Sequence, residues 1–214
     1  MIPRIFHYVW LGGELPDRFR ANIDTWTEHN PDFKVMAWTD ETVDDSVPFI
    51  ANALRLGLWA RASNLVRLLA LNTHGGVYLD TDVFVRQSFE PLLRFPCFVG
   101  FQTEKHDSDL VCNAVIGSEA GHWLVGTTAA EIMLNFDGTE QPVDSGLGPA
   151  LLTKVLRAHD LPPYSACGVF CRDVFVAPTH YFYPYGWDEE PSAAQVGAET
   201  YAVHEWARSW FVSD

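Results

Sequence analysis

The stretch from Gly75 to Val83, GGVYLDTDV, most constrains what this chain can fold into. Three apolar residues follow a glycine pair and run directly into two aspartates, which is typical of a short buried strand that ends at a cleft. Side chains two residues apart in an extended chain share a face, so Asp80 and Asp82 are expected to point the same way. Two such carboxylates repel each other unless they share a cation, and Mg²⁺ or Mn²⁺ prefers these oxygens. A chance Asp-x-Asp in a turn is the alternative.

Length and charge limit the classes of protein to consider. The chain has 214 residues, 48% of them hydrophobic, and a formal net charge of −14. This length predicts one domain, residues 1–214, with a substantial core. The acidic balance argues against nucleic acid or an anionic membrane as a partner, because surfaces that bind phosphate are rich in lysine and arginine. An anionic ligand would therefore need a local metal ion.

The sequence carries no recognisable targeting segment. Residues 1–5 enter a strand-like segment without the charged leader and apolar core of a signal peptide. We expect no integral membrane segment, because no apolar run reaches the roughly 18 residues of a membrane span. The four cysteines lack zinc-ribbon spacing, so reduced thiols are expected. Together these features predict a cytoplasmic protein.

Strand and helix patterns alternate along the chain, which predicts an α/β fold. The predicted strands cover residues 5–10, 33–38, 77–79 with a continuation through 83–85, 97–101 and 110–116. The predicted helices cover residues 16–29, 49–58, 60–74, 122–134 and 149–159. Gly75 is expected to cap the C-terminal end of the third helix.

Several side chains fall where a crevice is expected. Trp10 ends the first strand, where it either packs into the core or reaches a ligand at the carboxyl edge of the sheet. Arg61, Asn64 and Arg67 lie three apart on the helix before the glycine pair, and either make surface pairs or face the same crevice. Asn113 interrupts an apolar strand and needs a backbone or ligand partner.

Six blocks of sequence resemble the Asp-x-Asp glycosyltransferases, the family of yeast initiating mannosyltransferases and bacterial capsular-polysaccharide sugar transferases. The family is distantly similar to the glucosylating domain of large clostridial toxins. The blocks are residues 2–13, 62–67, 75–82, 113–117, 148–153 and 204–210. Their number and order over nearly the whole chain make the resemblance specific. It implies a single Rossmann-like nucleotide-sugar domain of the GT-A type, with a mixed central sheet flanked by helices.

The resemblance also implies an activity and a metal. The activity is metal-dependent transfer of a hexose-type sugar, with retention of configuration, from a UDP- or GDP-sugar to an acceptor hydroxyl, with Mn²⁺ preferred over Mg²⁺. Asp80 resembles the aspartate that touches the ribose and the metal's water shell, and Asp82 resembles the direct metal ligand. His204 resembles a second metal ligand from the C-terminal segment. Glu205 or Ser209 is an alternative there, because the toxin-like pattern uses Glu and Ser.

The other implied roles concern the donor. Trp10 resembles the aromatic residue that stacks on the nucleobase. Arg67 is similar to an arginine near the donor sugar, and Asn113 is a candidate for a hydrogen bond to that sugar. Ser209 and Trp210 belong to the tail that the resemblance places beside the donor, where Trp210 looks like the residue that reaches a diphosphate oxygen.

The chain departs from the family pattern at two positions. Asn64, also expected to contact the donor, stands where the family usually has Asp, and an amide brings no charge to the outer shell of the metal. Leu147 stands where a threonine is common before Gly-Pro. The first departure suggests an alternative function, a pseudoenzyme that binds a nucleotide sugar without turning it over.

A second alternative is a phosphatase of the haloacid dehalogenase kind, with Asp80 as nucleophile and Asp82 as acid. That class needs a downstream lysine, and Lys105 and Lys154 are the only lysines after Asp82. For the transferase, the expected acceptor is a surface glycan, a lipid-linked glycan or a small molecule. Such an acceptor would bring the protein to the inner face of the membrane in polysaccharide synthesis.

Overall fold

The computed structural model describes residues 1–105, 110–136 and 147–207. The helices in these ranges are Asp17–His29 (α1), Pro48–Arg55 (α2), Trp59–His74 (α3), Trp123–Leu134 (α4), Pro149–Arg157 (α5) and Thr179–Phe182 (α6). The strands are Ile5–Val9 (β1), Lys34–Trp38 (β2), Gly76–Leu79 (β3), Val83–Val85 (β4), Cys97–Phe101 (β5), Val111–Ser118 (β6), Val169–Cys171 (β7), Val174–Ala177 (β8) and Ala202–His204 (β9).

Seven strands of the described ranges form one mixed sheet in the order β2-β1-β3-β6-β5-β8-β7. β1 runs parallel to both β2 and β3, while β6 is antiparallel to β3 and β5. Apolar side chains of helices and strands form a core on each face of this sheet. The predicted mixed sheet flanked by helices is therefore confirmed. Because β1, β2 and β3 are parallel, their carboxyl ends meet at one edge, where ligands bind in α/β sheets.

The predicted continuation of the third strand through Val83–Val85 is wrong. The chain turns after Leu79, since the Val83 N–H donates to the Asp80 carbonyl at 3.0 Å, and β4 then joins a separate two-stranded sheet with β9. The sequence patterns also missed β7, β8 and β9. These strands have three or four residues each, too short for a clear alternation of apolar and polar positions.

The glycine pair is required by the close approach of β3 to its neighbours. Gly75 ends α3, as predicted, with φ +62° and its N–H donating to the Leu71 carbonyl at 2.8 Å. Gly76 has φ +113°, and a Cβ there would lie 2.6 Å from the Ile5 carbonyl oxygen of β1. Any other residue would force β1 and β3 apart, because Cβ atoms do not approach backbone oxygens so closely.

The buried face of α1 carries polar as well as apolar side chains. Phe19 and Trp26 are buried, but Ile23, which lies between them in the sequence, is only half-buried. Asn22 and Thr25 occupy the buried face instead. Both polar side chains are hydrogen-bonded, as buried polar groups must be.

The four cysteines form no disulfide bond in the structure, and three of them are buried. Across the described ranges, every helix is too short or too polar to cross a membrane.

Candidate active site

The two aspartates lie in the turn between β3 and β4. The Asp80 N–H donates to the Ala114 carbonyl of β6 at 2.9 Å, so the sheet still anchors the first aspartate. The carboxylates converge because of this turn rather than because of strand alternation. Both lie beyond the carboxyl end of β3, at the edge that β1, β2 and β3 share.

Asp82 is held by the C-terminal segment. Its Oδ2 accepts a hydrogen bond from the Ala207 N–H at 2.8 Å, and its Oδ1 lies 3.2 Å from His204 Nε2. Antiparallel pairing of Val83 with His204 brings β9 to this position. Burial by itself raises the pKa of Asp82, but the His204 ring and the backbone N–H groups outweigh it and hold that pKa below its ordinary value.

His204 is buried, and its surroundings are aromatic. The ring lies 4.2 Å from the Trp206 ring and 5.8 Å from the Tyr183 ring, measured between centroids. Neither ring nitrogen makes a hydrogen bond to any described residue. Buried nitrogens that make no hydrogen bond are costly, so this ring beside the Asp82 carboxylate suits a bound cation.

Asp80 is held from the opposite side by two side chains that act on the same oxygen. The Tyr78 hydroxyl donates to Oδ1 at 2.7 Å, and Arg67 Nη1 lies 3.1 Å from it. The Arg67 guanidinium also stacks on the Tyr78 ring at 4.4 Å. Burial raises the pKa of Asp80 above its ordinary value, although the charge of Arg67 opposes the shift.

Asp80, Asp82 and His204 fit a divalent cation. One ligand atom from each lies within 4.8 Å of the other two, which is close enough for all three to bind one ion. Two carboxylates and one imidazole suit Mn²⁺, since Mg²⁺ prefers oxygen ligands alone. His204 points to the same conclusion, because its buried ring nitrogens make no hydrogen bond and Nε2 lies 3.2 Å from Asp82 Oδ1.

Arg67 is buried, and its N–H groups have partners within the protein. Nε donates to the Ser63 carbonyl at 3.2 Å, Nη2 to Ser63 Oγ at 2.9 Å, and Nη1 to the Asn113 carbonyl at 2.9 Å. Together with the ion pair to Asp80, these contacts connect α3 to β3 and β6. Arg67 therefore fixes the positions of Asp80 and Asn113.

Asn64 and Asn113 form an amide pair beside this arginine. Asn113 Nδ2 donates to Asn64 Oδ1 at 2.8 Å. The pair lines a small cleft together with Gly148, where a Cβ would lie 3.4 Å from both amides. Gly148 has φ +68° and begins α5, so a glycine lets the backbone lie directly over the amides.

Trp10 lies at the same sheet edge. Its N–H donates to the Trp38 carbonyl at 2.9 Å, and its half-buried indole packs on the Phe19 ring with centroids 5.1 Å apart. The following loop is braced by Asp40, whose carboxylate accepts the N–H of Gly12 at 3.0 Å. The Trp10 indole therefore packs against Phe19 and is also partly exposed at the sheet edge.

The structure describes two of the three proposed third ligands, His204 and Glu205. The Glu205 side chain is exposed and accepts a hydrogen bond from Asn22 Nδ2 at 3.0 Å, so it turns away from the aspartates. His204 faces them. Ser209 and Trp210 lie outside the described residues, as does most of the loop before Gly148.

The structure adds site residues that the sequence patterns did not single out. Tyr78 and Ser63 bind Asp80 and Arg67, and Asn22 contacts the carbonyl of Thr81, between the two aspartates. Tyr78 is one apolar position of a buried strand, so nothing in the spacing separated it from core residues. The signal for Asn22 was a polar residue between Phe19 and Trp26 on the inner face of α1.

Comparison with known proteins finds related sequences. Residues 16–99 match the sequence model of the glycosyltransferase sugar-binding region containing the DXD motif. Inositol phosphoceramide mannosyltransferase 3 of Schizosaccharomyces pombe is 24% identical, over 96% of this chain and 60% of that protein. A mannosyl phosphorylinositol ceramide synthase of Saccharomyces cerevisiae is 27% identical, over 57% of this chain and 32% of that protein. The chain thus spans less than two thirds of these relatives.

Solved structures share the fold. The PaToxG glycosyltransferase superposes with a TM-score of 0.61 at 18% identity, over 74% of this chain and 70% of that one. The galactosyltransferase LgtC superposes with a TM-score of 0.50 at 11% identity, over 94% of this chain and 86% of that one. At these identities the likeness establishes a GT-A type fold and nothing beyond the fold. Residues 16–99 thus match the DXD-containing sugar-binding region of glycosyltransferases, and the chain as a whole is similar to these mannosyltransferases.

Proposed function

We propose that this glycosyltransferase is metal-dependent and retaining, and that it moves a hexose from a UDP- or GDP-sugar to an acceptor hydroxyl. One observation carries the proposal, namely the convergence of Asp80, Asp82 and His204 at the carboxyl edge of the sheet. A divalent ion bound there, Mn²⁺ in preference to Mg²⁺, supplies positive charge to the departing diphosphate. The acidic chain otherwise offers little positive charge to such a group.

The protein side chains divide into ligands and supports. Asp82 and His204 are the direct ligands in this proposal, and Asp80 faces the ribose and the metal's water shell. Arg67 and Tyr78 hold Asp80 through one oxygen and leave Oδ2 available. Since the donors of Arg67 are engaged within the protein, we assign it to positioning rather than to direct contact with the sugar.

In this proposal the nucleotide-sugar donor lies along the carboxyl edge of the sheet beside the metal ligands. Trp10 stacks on the nucleobase, and the Asn64–Asn113 pair offers amide groups to sugar hydroxyls beside Gly148. Ser209 and Trp210 complete the diphosphate site in this proposal. The acceptor hydroxyl attacks the anomeric carbon on the face that the diphosphate leaves, the bond to diphosphate breaks, and the hydroxyl proton passes to the departing phosphate oxygen.

The acceptor proposal rests on the relatives. Their names specify inositol phosphoceramide, a lipid with a hydroxyl-rich headgroup, as the substrate of those proteins. We propose an acceptor of similar chemistry, a lipid-linked or surface glycan. Cytoplasmic action at the inner face of the membrane stays a prediction.

The similarity to glycosyltransferases argues against the phosphatase alternative. Its required lysine is also missing from the site as described. Lys154 is exposed and lies 3.7 Å from Glu131 on the surface. Asp80 is an unsuitable nucleophile because Tyr78 and Arg67 both engage Oδ1.

A screen of UDP- and GDP-sugars with and without Mn²⁺ tests the function. Thermal shift measures donor binding, and release of free nucleotide measures turnover. We expect one nucleotide class to raise the melting temperature in a Mn²⁺-dependent way and to be released in the presence of an acceptor. Binding without turnover would support the pseudoenzyme suggested by Asn64. No binding of either nucleotide class with Mn²⁺ would contradict both.

A further inference from the structure

Helix α1 serves as the second edge partner of strand β4. One edge of β4 pairs with β9. Side chains of α1 and of its C-cap residue form hydrogen bonds with the backbone of β4 and of the residues that flank it. Two side chains donate, Asn22 Nδ2 to the Thr81 carbonyl and Trp26 Nε1 to the Val83 carbonyl. Two side chains accept, Thr25 Oγ1 from the Val85 N–H and Asn30 Oδ1 from the Phe89 N–H, and all four distances are 2.8–3.2 Å. The helix therefore fixes the segment that follows the aspartate turn.

Asn22 lies at the end of this row that meets the metal ligands. Its Nδ2 donates to the carbonyl of Thr81, which separates the two aspartates, at 3.2 Å. The same nitrogen donates at 3.0 Å to Oε2 of Glu205, the residue after His204. The Glu205 N–H in turn donates to the Asp82 carbonyl at 2.9 Å. One buried amide, 7% exposed, thus ties together both segments that carry ligands.

We propose that Asn22 is a positioning residue for the metal site, one that fixes the separation of Asp82 from His204. This inference rests on the proposed function, since it assumes that these residues bind the cation. Groups behind metal ligands hold them in the geometry that the ion requires, and their loss typically weakens metal binding by about 10–100-fold. Asn22 contacts neither ligand side chain, so it acts through the Thr81 and Glu205 segments.

Asn30 provides a matched control. It is the same residue type at the C-cap of the same helix and is 2% exposed. Its Oδ1 accepts from the Phe89 N–H at 2.8 Å, and its Nδ2 donates to the Trp26 carbonyl. Asn22→Ala and Asn30→Ala therefore remove similar bonds from α1 to the segment after the aspartates. Only Asn22 contacts the residues next to the proposed metal ligands, Thr81 and Glu205.

The experiment measures Mn²⁺ binding by calorimetry, with thermal unfolding of the metal-free proteins alongside. We expect Asn22→Ala to raise the Kd for Mn²⁺ by about tenfold or more. Asn30→Ala is expected to lower the melting temperature and leave that Kd within about twofold of wild type. If both variants keep wild-type Kd values, or if both weaken binding equally, the proposal is overturned.

Glu205 variants test the same idea at an exposed position, where folding is not at risk. Glu205→Ala removes the acceptor for Asn22, whereas Glu205→Gln keeps a carbonyl oxygen that accepts the same bond. We expect weaker Mn²⁺ binding in the first and near wild-type binding in the second. Equal losses of Mn²⁺ binding in both variants would indicate that Glu205 is itself a ligand and would overturn the proposal. Unchanged Mn²⁺ binding in both variants would also overturn it. Wild type without Mn²⁺ binding would refute the proposed metal site as well, whereas an unaffected Asn22→Ala in a Mn²⁺-binding protein refutes only the role of Asn22.

Discussion

Tyr78→Phe removes one hydroxyl from a side chain that is 1% exposed and leaves the ring in place. That hydroxyl donates to Asp80 Oδ1 at 2.7 Å, a short bond to a carboxylate. A hydrogen bond to a charged group contributes about 1.5–3 kcal/mol to stability, compared with about 1 kcal/mol for a neutral one. Asp80 keeps its ion pair with Arg67 in the variant. We therefore expect the free energy of unfolding to fall by about 2 kcal/mol.

A double-mutant cycle with Asp80→Asn isolates the charge-assisted part of this bond. Urea denaturation of the metal-free proteins at pH 8 gives the four free energies of unfolding. In the Asp80→Asn background, Tyr78→Phe should cost about 1 kcal/mol, because the remaining acceptor is neutral. Tyr183→Phe, at a position 2% exposed where the hydroxyl accepts from the Val115 N–H, should show no such dependence. Equal costs of Tyr78→Phe in both backgrounds would refute the reasoning.

Three further changes test the site and its support. Asp82→Asn should lower turnover by about a hundredfold or more with an unchanged circular dichroism spectrum, as loss of a group that stabilises charge in the transition state does; wild-type turnover would contradict the assignment. Trp10→Ala should weaken nucleotide binding by about 1–3 kcal/mol in calorimetry, the size of a base-stacking contact; unchanged affinity would leave Trp10 a packing residue. His7 lies between the Gly75 carbonyl and the Trp38 indole, and burial lowers its pKa. Its contribution to folding stability is therefore complete above the unfolded pKa of about 6.5 and is lost as the pH falls toward the folded pKa. His7→Gln should therefore reduce the loss of melting temperature between pH 7 and pH 5, and an unchanged slope would contradict this.

The sequence predicted the parts of the molecule that depend on local pattern. The apolar run of β3, the long helix α3 and the capping Gly75 are short-range features, and the structure has them where the pattern placed them. The fold class followed from the alternation of strands and helices. The resemblance added His204, which lies far from the aspartates in the chain and whose approach depends on pairing of β4 with β9.

The pattern failed where tertiary contacts decide the role of a residue. The sequence pattern makes Tyr78 one of the core residues of a buried strand, yet its hydroxyl donates a hydrogen bond to Asp80. The partners of Arg67 come from three separate segments, at Ser63, Asp80 and Asn113, which only the folded chain brings together. The continuation of β3 through Val83 was wrong because period-two alternation cannot reveal a turn that bonds Val83 to Asp80.

The pairing of β4 with β9 also has a consequence for synthesis of the chain. Until Ala202–His204 has left the ribosome and paired, β4 presents an unpaired backbone edge flanked by the buried side chains Val83 and Val85. Unpaired edges recruit strands from other chains, so a product truncated before β9 is exposed to aggregation. The last described strand thus brings His204 to the proposed metal site and closes the edge of β4 in one event. A chain that lacks this strand loses both that proposed ligand and the protection of the β4 edge from self-association.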